Sequence, residues 1–503
     1  MTAKAGSWSH RMTWWRAAAG TATIAALALP GALPARAAAL TTTRVPCSVP
    51  DLDAAIAAAK PGQVLDLASG CVYALAAPLT TPTVNITIKG SGDTITATTP
   101  GFSILTVAAG ISVDLASLTM SNAGSNETDG GAINSAGTLT ITGSTFTDDS
   151  GMDGGAIYAD DGTTSVSGSI FTGDTVTGTR PSGGAIDADG GTVTVASSTF
   201  TDNTAAIPYG SGGAIDSDDG GLLTVTDSTF TGNSANYGGA ILSGWQLKLK
   251  HTSFTDNTAS YGGGVYDSQL TATAITLNGN SAYDGGGMYI AGTADIANST
   301  LTDNKSTDAG GAICDAGDVT VTGTSFGQNS TTGEGGAVFN GVRFTAKNST
   351  FTGNSSATSG GAIFNNSTMQ ITGSTFSGNT ASANGGALES FANGPTTVTS
   401  TSFTGNSAAN GGGVFTDLGI DFTLTSSTFS GNKASSDGGA ILNGAAGDTI
   451  LTITRTTITA NTAGANGGGI DNVQGTVTLT RSTVTGNTPG NCAPASTITG
   501  CTG

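Results

Sequence analysis

The sequence predicts an all-β chain folded as a right-handed parallel β-helix, a solenoid of about 15 coils with a short N-terminal capping helix. Three observations carry this. A GGA or GGG triplet occurs fourteen times, with its third residue running from Ala132 and Ala156 to Ala440 and Gly469, at intervals of 23 to 29 residues. An aromatic or aliphatic residue followed three later by Asn recurs in step, as Phe200/Asn203, Phe351/Asn354, Phe376/Asn379 and Phe429/Asn432. Between the two marks apolar residues alternate strictly, as in Val193/Val195, Val319/Val321 and Met369/Ile371.

Alternation with period two means a strand with one buried face. A 25-residue unit that also holds Gly-rich turns has no room for a helix. One such unit cannot bury its own apolar face, so neighbours must stack. Stacked coils lie about 4.8 Å apart. The residue after each triplet is aliphatic in all fourteen copies, from Ile133 to Ile470, and is expected to face the core. The glycines before it allow a turn and close backbone approach. The Phe is expected to stack on the Phe of the next coil. The Asn is expected at a turn, in left-handed geometry, with its amide bonding the coils above and below.

The organisation follows in chain order. Residues 1–37 read as a secretory leader: Lys4, Arg11 and Arg16 precede an apolar stretch from about Ala17 to Leu33, and Ala35-Arg36-Ala37 supplies a small-x-small cleavage pattern. Residues 38–81 form an N-terminal cap, in which Asp51 to Lys60 has a helical pattern stopped by Pro61-Gly62. Residues 82–490 are the coils, the first two degenerate, and 491–503 form a disulfide-closed tail. Cys47 with Cys71 and Cys492 with Cys501 are expected as short-range disulfides at the two ends, consistent with an oxidising compartment. Cys314 is left over, as a structural thiol or an intermolecular bridge. No segment past the leader approaches a membrane span, so the expectation is a secreted, extracellular monomer, free or associated with a cell surface.

The chain has 35 acidic and 16 basic residues. Removing the leader's four basic residues leaves 12 against 35, a charge of −23. That argues against nucleic acid and anionic membranes as partners and permits bound cations or simple solubility. His251 is the only His past the leader, which disfavours a His-dependent triad or a His-rich metal site.

The paired GGAI and FxxN marks resemble the repeats of the chlamydial polymorphic outer membrane protein family, over about residues 125–490. The resemblance implies a β-helical passenger and a role as a surface adhesin. More broadly the chain is similar to secreted right-handed β-helix proteins of the pectin-lyase-like kind, which include pectate lyases and polygalacturonases.

A site is sought where residues break the repeat. The position after the core aliphatic varies from coil to coil and is expected to point outward. There, and two or three residues on, Asp160 and Asp161, then Asp187 and Asp189, then Asp216, Asp218 and Asp219 recur on successive coils. Stacked carboxylates of this kind suit acid/base cleavage of a glycosidic bond by Asp187, Asp189, Asp216 and Asp218. They equally suit a calcium ion held by Asp160, Asp187, Asp189, Asp216 and Asp218, or a solvated acidic turn. Arg180 is the one basic residue placed to serve a lyase. The same position carries Tyr266, Tyr289, Phe339, Phe364 and Phe415, an expected exposed stripe for a glycan or cell-surface partner, unless loops cover it or it packs on itself. The leading expectation is a non-catalytic surface protein with no cofactor; a polysaccharide hydrolase or lyase is the alternative. Outward Thr ladders such as Thr192/Thr194 and Thr478/Thr480 are a third, weaker candidate for binding ice or another ordered surface.

Overall fold

A computed structural model describes residues 41–501 except 207, 219, 392–393, 420 and 445–448. The leader and its cleavage pattern lie outside the described residues, as does Asp219. From Thr41 onward the chain is one compact unit, an all-β parallel solenoid of about 18 turns.

A single coil shows how the repeat makes the fold. Four strands follow one another: Ile363–Asn365, Thr368–Thr372, Thr375–Ser377 and the two-residue Thr380–Ala381. The sequence pattern indicated about three; the fourth is too short to show alternation. Each strand pairs in parallel with its counterpart one coil on, Ile363 with Leu388, Ile371 with Val398 and Phe376 with Phe403. The first three strands of every coil belong to one 47-stranded sheet, and the fourth strands form separate sheets of three and seven strands.

The Phe column stacks as expected. Ring centroids from Phe146 to Phe254, and again from Phe326 to Phe429, lie 4.4–5.0 Å apart with planes 1–12° from parallel. Leu277 and Leu301 fill the gap between the two runs. Beside it runs a buried amide ladder. Asn379 Nδ2 donates to Asn406 Oδ1 at 2.9 Å and to the Phe351 carbonyl at 2.9 Å, and the Asn379 backbone N–H donates to the same Asn406 oxygen. Each Asn of the ladder is thus bonded to the coils on both sides. The Asn does not itself take left-handed geometry. The residue before it does, for example Gly378 at φ 62° and Asp202 at φ 54°, because the corner must be completed before the amide turns inward. The first two rungs are Asp149 and Asp174, and burial pushes both carboxyls well up, towards the neutral state of the amides they replace.

A second ladder stands two residues before the Phe. The Ser349 backbone N–H donates to Ser374 Oγ at 3.2 Å, and Ser374 Oγ donates to the Thr372 carbonyl. The unit is therefore S/T-x-F-x-x-N, with two of its polar positions structural.

At the N-terminus a helix, α1, spans Val49–Ala57, with Ser48 as N-cap and Leu52 and Ile56 buried. Its surroundings correct the expected boundaries. Thr42–Val45 already pairs with Val64–Leu67, and Val72–Leu75 pairs with Thr94–Ala97, so coiling begins inside the presumed cap. At the other end Cys492–Ala493 and Ile498–Thr499 continue the first and second columns inside the presumed tail. These terminal turns lack both sequence marks, which is why 15 coils were legible and about 18 form. Both expected disulfides are made, Cys47 to Cys71 and Cys492 to Cys501. Cys314 is a buried free thiol.

Candidate functional site

The two glycines of each triplet do different work. Gly360 has φ 65°, and a Cβ there would meet the Ile363 carbonyl oxygen at 2.4 Å. Gly361 would place a Cβ 2.1 Å from the Gly386 carbonyl oxygen of the next coil. The result is a tight fold-back that lays the residue before the first glycine along the outer side of the first strand. Two ranks of side chains then run side by side along the solenoid. One is the rank before the glycines, with Ser211, Tyr237, Tyr261 and Asp284 bridged coil to coil. The other is the rank after the core aliphatic, with Tyr158, Asp187, Asp216 and Leu242 in register.

This fold-back corrects the expectation of an exposed stripe. The first strand is covered on both faces, as in Ile363–Asn365 and Val414–Asp417. Phe364 is 5% exposed and Phe415 4%. Tyr266, Tyr289 and Phe339 are half-buried. The stripe is also interrupted, by Cys314 between Tyr289 and Phe339 and by Glu389 between Phe364 and Phe415. Two stacked pairs remain, Tyr266–Tyr289 at 5.1 Å and Phe339–Phe364 at 5.6 Å.

The acidic residues are brought together in part. Asp160 stands in register with Asp189, and Asp187 with Asp216. Asp187, Asp189 and Asp218 line an open recess of about 140 Å³ with Asp153, Tyr158 and Arg180. Tyr158 Oη donates to Asp189 Oδ2 at 2.7 Å, and burial together with that carboxylate pushes the phenol up. Asp216 is fully buried and accepts from the Ser211 hydroxyl. Asp160 is half-buried beside this group. Among the described residues no group of three or more His, Cys, Asp or Glu has an arrangement that could hold a metal ion.

On the three coils that follow the recess, the aromatic residues gather. Tyr237 stacks on Tyr261 at 5.3 Å, and these two meet Tyr266 and Tyr289 edge-on at 5.7 Å. In the same stretch of chain Tyr209, Trp245 and Tyr283 are 62%, 54% and 51% exposed. Trp245 projects from the corner where the first and second strands run together as Ile241–Lys250 with a shift in register. The available signal was composition along the chain: six of the eight Tyr, and the only Trp past the leader, fall between residues 209 and 289.

Coil geometry and ladders together define a protein class, a parallel β-helix whose coils are spliced at Gly-Gly fold-backs. Its repeat unit is a known one. Residues 197–218, 227–244, 348–366, 373–390 and 426–444 match the model of the Chlamydia polymorphic membrane protein (Chlamydia_PMP) repeat. No curated protein matches the chain. Among solved structures it is similar to the alginate lyase AlyF-OU02 in complex with G6, at 14% identity and TM-score 0.40, over 68% of this chain and 85% of that one. A PL6 alginate lyase in complex with a trisaccharide is similar at 14% identity and TM-score 0.37, again over 68% and 85%. The catalytic unit of the GH87 α-1,3-glucanase from Streptomyces thermodiastaticus is similar at 13% identity and TM-score 0.29, over 86% of this chain and 70% of that one.

Proposed function

We propose that this PMP-repeat β-helix is a secreted, non-catalytic surface protein that binds a glycan of a cell envelope along the two ranks described above. The observation that carries the reading is the concentration of aromatic side chains on the coils between residues 209 and 289, on a chain with only 6% aromatic residues. Flat, half-exposed rings with a polar tip stack on sugar faces at little entropic cost, and a cluster of them on an otherwise Ser/Thr-rich surface marks a contact site. The purified chain is expected to bind one or more members of a panel of envelope polysaccharides. Tyr261→Ala or Trp245→Ala should weaken binding about tenfold or more, in line with the loss of an aromatic anchor. Unchanged binding in both variants would remove the aromatic coils from the site.

A second reading rests on Arg180. It shares the 140 Å³ recess with Asp187, Asp189 and Tyr158, and so supplies the basic group a polysaccharide lyase needs. Release of unsaturated or reducing ends that disappears in Asp187→Ala would establish this reading over the first.

A further inference from the structure

The two ranks hold 28 positions over fourteen coils, and their charged members are all of one sign: nine are Asp or Glu and none is Lys, Arg or His. Asp153, Asp284, Glu334 and Asp437, each half-buried in the rank before the glycines, lie beside the Tyr237–Tyr289 cluster and to both sides of it along the solenoid axis, whereas Asp187, Glu389 and Asp471 of the other rank are buried. Exposed Asp218 and Asp308 add to the same strip. The chain as a whole has about one basic residue for every two acidic ones. Its lysines stand elsewhere: Lys248 and Lys250 on a second strand, Lys305 and Lys433 on fourth strands. Arg180 stands in the recess with Asp153 and Asp187 at one end of the strip, while among the described residues no lysine or arginine pairs with Asp284, Glu334 or Asp437.

Carboxylates in a half-covered trough focus a negative potential along its length. That field repels uronate or sulfate chains, and it attracts a chain that carries cations. The tyrosine rings require flat apolar faces as well as charge. The rise of one coil, about 4.8 Å, is close to the length of one sugar residue in an extended chain. The strip thus offers a carboxylate or a ring at nearly each sugar step.

We infer that the glycan bound along this strip is an amino-sugar polysaccharide with free ammonium groups, whose apolar faces pack against the Tyr237–Tyr289 cluster and whose amines meet the flanking carboxylates. This rests on the proposed glycan-binding reading and adds the charge of the ligand.

The test measures binding of the full chain to three oligosaccharides of equal length: a β-1,4-glucosamine oligomer, its fully N-acetylated counterpart and a uronate oligomer. Mildly acidic pH is used, and low salt is compared with high. The expected result is at least tenfold tighter binding of the free amine than of the acetylated form, weakened by salt, with no binding of the uronate. Asp218→Asn with Asp308→Asn, both at exposed positions, should narrow the gap between amine and acetylated oligomers. Tyr261→Ala should weaken both oligomers alike. Equal or tighter binding of the acetylated or uronate oligomer overturns the inference and leaves glycan binding standing. Binding of none of the three overturns both. Polylysine that binds as tightly as the amine oligomer, with Tyr261→Ala affecting neither, overturns it in favour of a basic peptide partner.

Discussion

At the scale of single residues, Phe376 and Asn379 show how the coil is held. Phe376 is fully buried between Phe351 and Phe403, at 4.6 and 5.0 Å. Phe376→Ala removes both stacks and leaves a cavity in a continuous core, so a loss of about 3–5 kcal/mol is expected. Asn379→Ala removes an amide bonded on both sides. It takes the Asn379 partner from the Asn354 backbone N–H, which donates to it, and from the Phe351 carbonyl, which accepts from it, and leaves the Asn354 side-chain amide only its bond to the Phe326 carbonyl. Each stranded buried group costs about 1–3 kcal/mol. Chemical denaturation monitored by circular dichroism checks both. A loss below about 1 kcal/mol for Asn379→Ala would show that water replaces the ladder.

At the scale of the coil, equal glycines are not equivalent. Gly361 has the next coil's carbonyl where its Cβ would stand, so Gly361→Ala must push two coils apart. Gly378 has φ 62° with open space around it, a position where Asp and Asn are found in other coils' corners. Gly378→Asn is therefore expected to change stability by under about 1 kcal/mol, and Gly361→Ala by several times more. Comparing their thermal midpoints tests the close-approach argument directly. The same element explains why the stripe is covered. A residue that alternation sends outward from the first strand is then covered by the fold-back of its own coil. Period two reports which side of the strand a residue takes and says nothing of what lies over that side.

At the scale of the whole molecule, the interior holds a column three places after the triplets that is polar in eleven of the fourteen coils, among them Ser217, Ser243, Asn340, Asn365 and Ser390. Asp267 and Asp315 occupy the same column, and burial pushes each up to about 8. An unfolded Asp titrates near 4, so between about pH 4 and pH 8 the folded chain binds more protons than the unfolded one. The stabilising contribution is present on the acid side and is lost as pH rises through the folded value near 8. Glu389, up to about 7, acts in the same direction. The thermal midpoint is thus expected to be higher at pH 5 than at pH 8.5, and Asp267→Asn with Asp315→Asn should flatten the dependence. A midpoint that rises with pH would contradict the burial of these groups.

The repeat, its strand periods, the Phe stack, the Asn ladder and both disulfide pairs were legible from residues alone, because each is a nearest-neighbour feature repeated many times. Chain spacing determined that coils must stack and which side chains form columns. What only the tertiary structure decided is what covers those columns: that Phe364 and Phe415 lie under a fold-back, that coiling runs through both ends without its sequence marks, and that Asp187 and Asp189 share a recess with Arg180 while Asp216 does not. The reason is physical. Periodicity is set by the local chain and the coil next to it, whereas exposure is set by a turn whose path depends on a Cβ-free approach between two coils.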